Sequence, residues 1–259
     1  MSIITTQLQD NIGTITFNNP EHRNVLSSAL ISEMLQSIGA LQKGKMRVLV
    51  IRSLKGSKVW SAGHDVHELP LPGRDPLAYN DSLVTVLRSI QSLPIPVIAM
   101  VEGSVWGGAC DLALSCDILI GCQSASFCMT PAKIGVPYNV SGILHFMNIM
   151  GVNFAKEMFF TAEPLSAEQA NKAGLLNHLV DEADLETFTY QMAAKITKNS
   201  PLSIGVIKEQ IRLLASAHPL SPLTFERVQG LRRTVYDSKD YAEGITAFLE
   251  RRPPVFTGE

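Results

Sequence analysis

Residues 94–111 read PIPVIAMVEGSVWGGACD, a segment whose first half has the character of a strand and whose second half opens a helix. Two prolines flanking Ile95 mark a boundary, because proline lacks an N–H and biases its predecessor toward extended backbone. Val97–Val101 is then apolar without a break, the pattern of a strand covered on both faces. After Glu102 and Gly103 the chain reaches Gly107-Gly108 and a helix carrying Ala109, Cys110 and Asp111. A glycine pair at a helix N-terminus leaves backbone N–H groups unpartnered at the positive end of the dipole. That arrangement suits an oxyanion. The plain alternative is close packing of helix against strand, which the same glycines also permit.

The same alternation extends in both directions. Residues 3–9 and 12–18 flank Asp10-Asn11 and read as a β-hairpin. Ser27 or Ser28 is placed to cap a helix whose apolar face is Leu30, Met34, Leu35, Ile38 and Leu41. Residues 46–51 form a buried strand, and 116–121 and 125–128 are short strands following the glycine-led helix. Strands and helices alternate to about residue 180, which predicts an α/β architecture with crossover connections. Beyond Pro201 the pattern becomes helical. Ile204, Ile207, Ile211 and Leu214 make one stripe; Phe225, Val228, Leu231 and Val235 a second; Tyr241, Ile245, Phe248 and Leu249 a third. The expected organisation is a core over residues 1–199 and a helical region over 200–259. That region is expected to bury one face on the core and offer another to a partner subunit.

Composition excludes several classes. The chain has 259 residues, 46% apolar and 18% charged, the balance of a packed globule rather than a disordered chain. Its 22 basic and 24 acidic residues give a net charge of -2, so no basic excess points to nucleic acid. Neither a signal-peptide pattern nor a membrane-length apolar run is expected. Cys110, Cys116, Cys122 and Cys128 recur every six residues, but no zinc site has that spacing and no C-x-x-C pair occurs. They read as small buried residues in a reducing compartment, which makes the cytoplasm the expected location.

A second segment that could carry chemistry is Ser61-Ala62-Gly63-His64-Asp65. Small residues around Gly63 allow a tight turn and close backbone approach to a ligand. His64 offers either an imidazole that titrates near neutrality or only its main-chain N–H, and the sequence leaves both open. His64 and His67 lie three apart without a third ligand, so no metal site is expected.

The motifs A-G-x-D at 62–65, E-G-x-x-x-G-G at 102–108 and F-x-x-x-P at 127–131, ahead of I-G-V-P at 134–137, resemble the crotonase superfamily over nearly the whole chain. The resemblance implies a spiral of ββα units with a C-terminal helical trimerisation region. It also implies an acyl-coenzyme A substrate whose thioester oxygen accepts from the N–H groups of His64 and Gly108. Ala62, Gly63, Asp65 and Val66 would contact coenzyme A, and Arg23 and Arg251 would meet its phosphates. A homotrimer or homohexamer is implied, with no cofactor beyond the coenzyme A of the substrate. Hydratases of the superfamily use two glutamates to activate water; here Asp111 and Pro131 stand at those positions. Asp111 is expected to be a first-turn helix acid. Proline neither takes nor gives a proton, so water addition is disfavoured. The stretch 127–139, with 57–59, 61–70, 73–76 and 101–108 and, near the end, Arg233, 236–238, 243–244 and 248–250, is similar to the branch that decarboxylates methylmalonyl-CoA. In that branch Tyr138 belongs to the active site and Thr130 touches the ligand. Decarboxylation through a thioester enolate is therefore expected. Hydration or isomerisation with Asp111 as sole acid, and acyl-CoA binding without turnover, are the alternatives.

Overall fold

Asp10 and Asn11 both take left-handed φ, 51° and 63°, and close a two-residue hairpin between β1 (Ile4–Gln9) and β2 (Ile12–Phe17). In this computed structural model, which describes residues 2–215 and 221–259, β2 continues the sheet in parallel with β3 (Val48–Ser53). Between them runs α1 (Ser28–Lys43); the Ser27 hydroxyl caps it by accepting from the Leu30 N–H, and Leu30, Ile31, Met34, Ile38 and Leu41 are buried. Each such side chain taken from water contributes roughly 1.5–3 kcal/mol.

Three turns of the chain then repeat one plan, and each adds a strand to a large sheet, a strand to a small one and a helix. β3, β4 (Val59–Ser61) and α2 (Ser82–Gln91) form the first turn, and β5 (Val97–Val101), β6 (Ser104–Trp106) and α3 (Gly108–Leu114) the second. β7 (Ile118–Cys122), β8 (Ser126–Cys128) and α4 (Val140–Thr161) form the third, with α4 broken at Gly151, where φ is 75°. β9 (Leu165–Ser166), α5 (Ala167–Lys172), β10 (His178–Val180) and α6 (Leu185–Ile196) follow. The sheets run β1-β2-β3-β5-β7-β10 and β4-β6-β8-β9. This is the expected spiral of ββα units.

Why the central strands are apolar throughout is now visible. Leu49, Ile51, Val97, Ala99 and Val101 face one core with α1 and α2, while Val48, Val50, Ile98 and Met100 face a second with Leu185 and Ala193 of α6. The strand expected over 46–51 runs two residues later and includes Arg52, which is buried and paired with Glu186 at 3.0 Å. Two further strand bounds move: 116–121 becomes Ile118–Cys122, and 125–128 begins at Ser126. All four cysteines are free and buried, and burial raises the Cys110, Cys116 and Cys128 thiols.

Three helices follow: α7 (Pro201–Ala215), α8 (Pro222–Tyr236) and α9 (Lys239–Leu249). The stripes of α7 and α8 do not bury a face on the core as expected; Ile207, Ile211, Leu214, Phe225 and Leu231 are exposed. On α9 the buried face is Tyr241, Gly244 and Ala247, and Phe248 and Leu249 are exposed. The helix lies so close to a 3-10 turn at Pro131–Ile134 that a Cβ on Gly244 would fall 2.3 Å from the Ile134 carbonyl oxygen. Gly244 and Ala247 therefore face inward beside Tyr241. Among the described residues, no helix is long and apolar enough to cross a membrane.

Candidate active site

β4, β6 and β8 are parallel neighbours, so the chain leaves all three at the same end of the small sheet. The exits are residues 62–65, Gly107-Gly108 and residues 129–131. Topology alone thus brings together the segments singled out in the sequence, at the end of a sheet where ligands commonly bind.

The first exit is held by hydrogen bonds to residues 23–26. Ala62 N–H donates to the Arg23 carbonyl (2.9 Å), Leu26 N–H to the Gly63 carbonyl (2.7 Å), and Ser61 Oγ–H to the Asn24 carbonyl (2.7 Å). Gly63 has φ 84°, and a Cβ there would lie 2.3 Å from the Trp106 carbonyl oxygen and 3.1 Å from the Gly108 nitrogen. A Cβ on Gly108 would meet Leu83 Cδ2 at 2.6 Å and the His64 nitrogen at 3.5 Å. Two glycines therefore let two main-chain strips abut. Among the described residues, neither the His64 nor the Gly108 N–H has a protein acceptor. Two adjacent unpartnered donors are what a developing oxyanion needs.

The His64 ring lies between two acceptors. Nδ1–H donates to the Asp65 carbonyl (3.0 Å), and Nε2 lies 3.5 Å from Asp81 Oδ2, an ion-pair rather than a hydrogen-bond distance. Burial opposes charge on the ring, but the Asp81 carboxylate and the Asp65 carbonyl outweigh it, and the pKa is raised from its ordinary 6.5. Asp81 also caps α2, accepting from the Leu83 and Val84 N–H groups. Asp65 accepts from both the main-chain N–H and the ring of His67. No group of three or more metal-ligating side chains occurs among the described residues.

A cavity of about 920 Å³ opens over these loops and is lined by His64, Gly108, Thr130, Pro131 and Tyr138. Ala62, Asp65, Val66, Arg23 and Arg251 also line it. Gly63 does not; it contributes through the packing just described. Arg251 lies two residues beyond the end of α9. Arg252 is bound to Glu243 and Glu250, while Arg251 and Arg23 make no ion pair among the described residues. Pro131 opens the 3-10 turn behind Thr130 and is buried.

Tyr138 is part of that wall, and Asp111 lies outside the lining. The Tyr138 hydroxyl donates to Asp111 Oδ2 at 2.8 Å, and His145 Nδ1 lies 3.2 Å from Asp111 Oδ1. Burial, then the Asp111 carboxylate, push the tyrosine pKa well above its ordinary value, so the phenol stays neutral. Asp111 is more than a first-turn helix acid, since both its oxygens are engaged and its side chain is only 3% exposed. The sequence reading missed Asp81, His145 and Lys133, the last lining the cavity within 3.5 Å of Glu163. No local spacing announces them: His145 is 34 residues from its carboxylate partner.

Comparison with known proteins agrees with this geometry. The family model described as enoyl-CoA hydratase/isomerase matches residues 7–259. Methylmalonyl-CoA decarboxylase of Escherichia coli (strain K12) is 47% identical over 96% of this chain and 95% of its own length. A probable mitochondrial enoyl-CoA hydratase of Dictyostelium discoideum is 32% identical over 97% of this chain and 90% of its own. Among solved structures, a methylmalonyl-CoA decarboxylase in complex with 2-nitronate-propionyl-CoA superposes with TM-score 0.97 at 46% identity, covering 100% of this chain and 99% of that one.

Proposed function

The chain belongs to the enoyl-CoA hydratase/isomerase family, and from that premise we propose that it decarboxylates methylmalonyl-CoA to propionyl-CoA. One observation carries the reading beyond similarity: Asp65, Asp81 and Asp111, the acids packed against the segments that carry the two N–H donors, are each already engaged. Pro131 occupies the cavity wall, Asp111 is bound to Tyr138 and His145, Asp65 to His67, and Asp81 caps α2 beside His64. Such a site activates water poorly but accepts a substrate that brings its own carboxylate.

In the reaction, the bond between C2 and the carboxylate breaks, CO2 leaves, and the electron pair spreads onto the thioester oxygen as an enolate. The N–H groups of His64 and Gly108 stabilise that oxygen more as charge develops than before, which is the condition for catalysis. C2 then takes one proton, for which water is the source because the Tyr138 hydrogen is engaged with Asp111. Thr130 orients the carboxylate across the thioester plane, and Tyr138 bounds it as a wall of the site. The thioester itself accepts the electrons, so the route is complete without metal, biotin or nucleotide. Ala62, Gly63, Asp65 and Val66 are assigned to coenzyme A, and Arg23 and Arg251 to its phosphates. Residues 200–259 are assigned to oligomerisation as a trimer or a dimer of trimers. Four buried free thiols suit the cytoplasm.

The test is CO2 release from methylmalonyl-CoA by the purified protein, with crotonyl-CoA hydration run alongside. Propionyl-CoA without hydration is expected. Hydration without CO2 release would return the protein to the hydratases and overturn the reading.

A further inference from the structure

We propose that His145 is a positioning residue of the decarboxylation, acting through Asp111 to keep the Tyr138 hydroxyl hydrogen turned away from the substrate carboxylate. This rests on the decarboxylase reading above.

Asp111 is the middle of a three-member chain. A carboxylate only accepts, so the Tyr138 hydrogen lies toward Oδ2 and His145 Nδ1 carries the hydrogen facing Oδ1. Neither Asp111 nor His145 lines the cavity, whereas Tyr138 does. The tyrosine ring is fixed by Phe159, with centroids 5.4 Å apart, and by Phe146 at 6.4 Å. Gly142 packs so tightly that a Cβ there would lie 2.3 Å from Tyr138 Cε1. With the ring immobile, rotation of the O–H bond is the remaining freedom. Turned into the cavity, the hydroxyl would donate to the substrate carboxylate. That bond is strongest before CO2 leaves, when the charge is on the carboxylate, so it would stabilise the ground state over the transition state. Held by Asp111, the hydroxyl presents lone pairs instead. His145, with a side chain 23% exposed, fixes the carboxylate plane from the far side.

Three variants test this, with kcat and KM measured for methylmalonyl-CoA and the Kd of 2-carboxypropyl-CoA measured by calorimetry. That thioether has the carboxylate but no carbonyl, so it reports ground-state binding alone. His145→Leu leaves one Asp111 oxygen without its donor and frees the hydroxyl. The expected result is kcat lower by about tenfold or more, with KM unchanged or lower and the thioether bound at least as tightly. His145→Asn places an amide N–H where the ring N–H stood, and should return kcat to within about threefold of wild type. Asp111→Asn should behave like the leucine variant even if the latter folds poorly. His145 orients the new amide oxygen toward itself, so the amide N–H₂ faces Tyr138 and drives its hydrogen into the cavity. Wild-type kcat in the leucine variant would overturn the proposal. So would an asparagine that fails to rescue, or a kcat loss accompanied by weaker thioether binding. A wild-type protein that releases no CO2 would instead sink the decarboxylase reading, and this inference with it.

Discussion

At the scale of single residues, His64 combines two jobs that the sequence could not separate. Its main-chain N–H has no protein acceptor among the described residues, and its ring lies between the Asp65 carbonyl and Asp81. The ring's pKa is raised in the fold, so the native state binds the proton more tightly than the unfolded chain does. The resulting stability is fully present below the unfolded value of 6.5 and is lost as pH rises through the higher folded value. Asp81→Asn retains a side chain that caps α2 but removes the charge that sustains the imidazolium. Wild type should therefore melt above the variant at about pH 5.5, and the two melting curves should converge toward about pH 9. A gap that stays constant across this range would show that Asp81 acts through the cap alone.

At the scale of elements, the proposed oxyanion site is a contact between two loops that glycine alone permits. Gly63→Ala would add a methyl at φ 84° with the Trp106 carbonyl 2.3 Å away, and backbone cannot yield as a side-chain tip can. We expect a loss of about 1–3 kcal/mol on denaturant unfolding and a larger fall in kcat/KM, because the two donors move apart. An active variant with an unchanged unfolding midpoint would show that the strips need not abut. This contact also marks what the sequence made legible. The glycine-led segments, the hairpin at Asp10-Asn11 and the parallel strands were readable because turns and double-sided burial leave local signatures. The α9 face was legible only at Tyr241, because packing onto the 3-10 turn selects small residues, Gly244 and Ala247, over the large apolar ones that a periodicity count favours. Asp81 and His145 were hidden for a related reason. Each meets its partner through the spiral, and no spacing rule reaches from β4 to α2 or from α3 to α4.

At the scale of the whole molecule, the expectation least satisfied by one chain is burial of the C-terminal stripes. α7 is tied to the core by Lys208, whose ammonium reaches Asp117 at 2.7 Å and the carbonyls of Ile90 and Ile95. Its apolar residues nevertheless remain open: Ile211 is 62% and Leu214 77% exposed, with Phe225 and Leu231 of α8 also uncovered. Exposed apolar stripes on two neighbouring stretches of chain are what a subunit interface would cover. Closed symmetry is the usual way to cover them all at once. Light scattering behind size exclusion should give three or six times the chain mass of 28.3 kDa. Ile211→Glu, which places a charge in the middle of the α7 stripe, should shift the mass toward that of one chain. Arg251 follows α9 in the same helical region and lines the cavity, so loss of assembly should also raise KM for the acyl-CoA more than it lowers kcat. A wild-type protein that runs as a monomer with full activity would mean that these stripes serve some other contact.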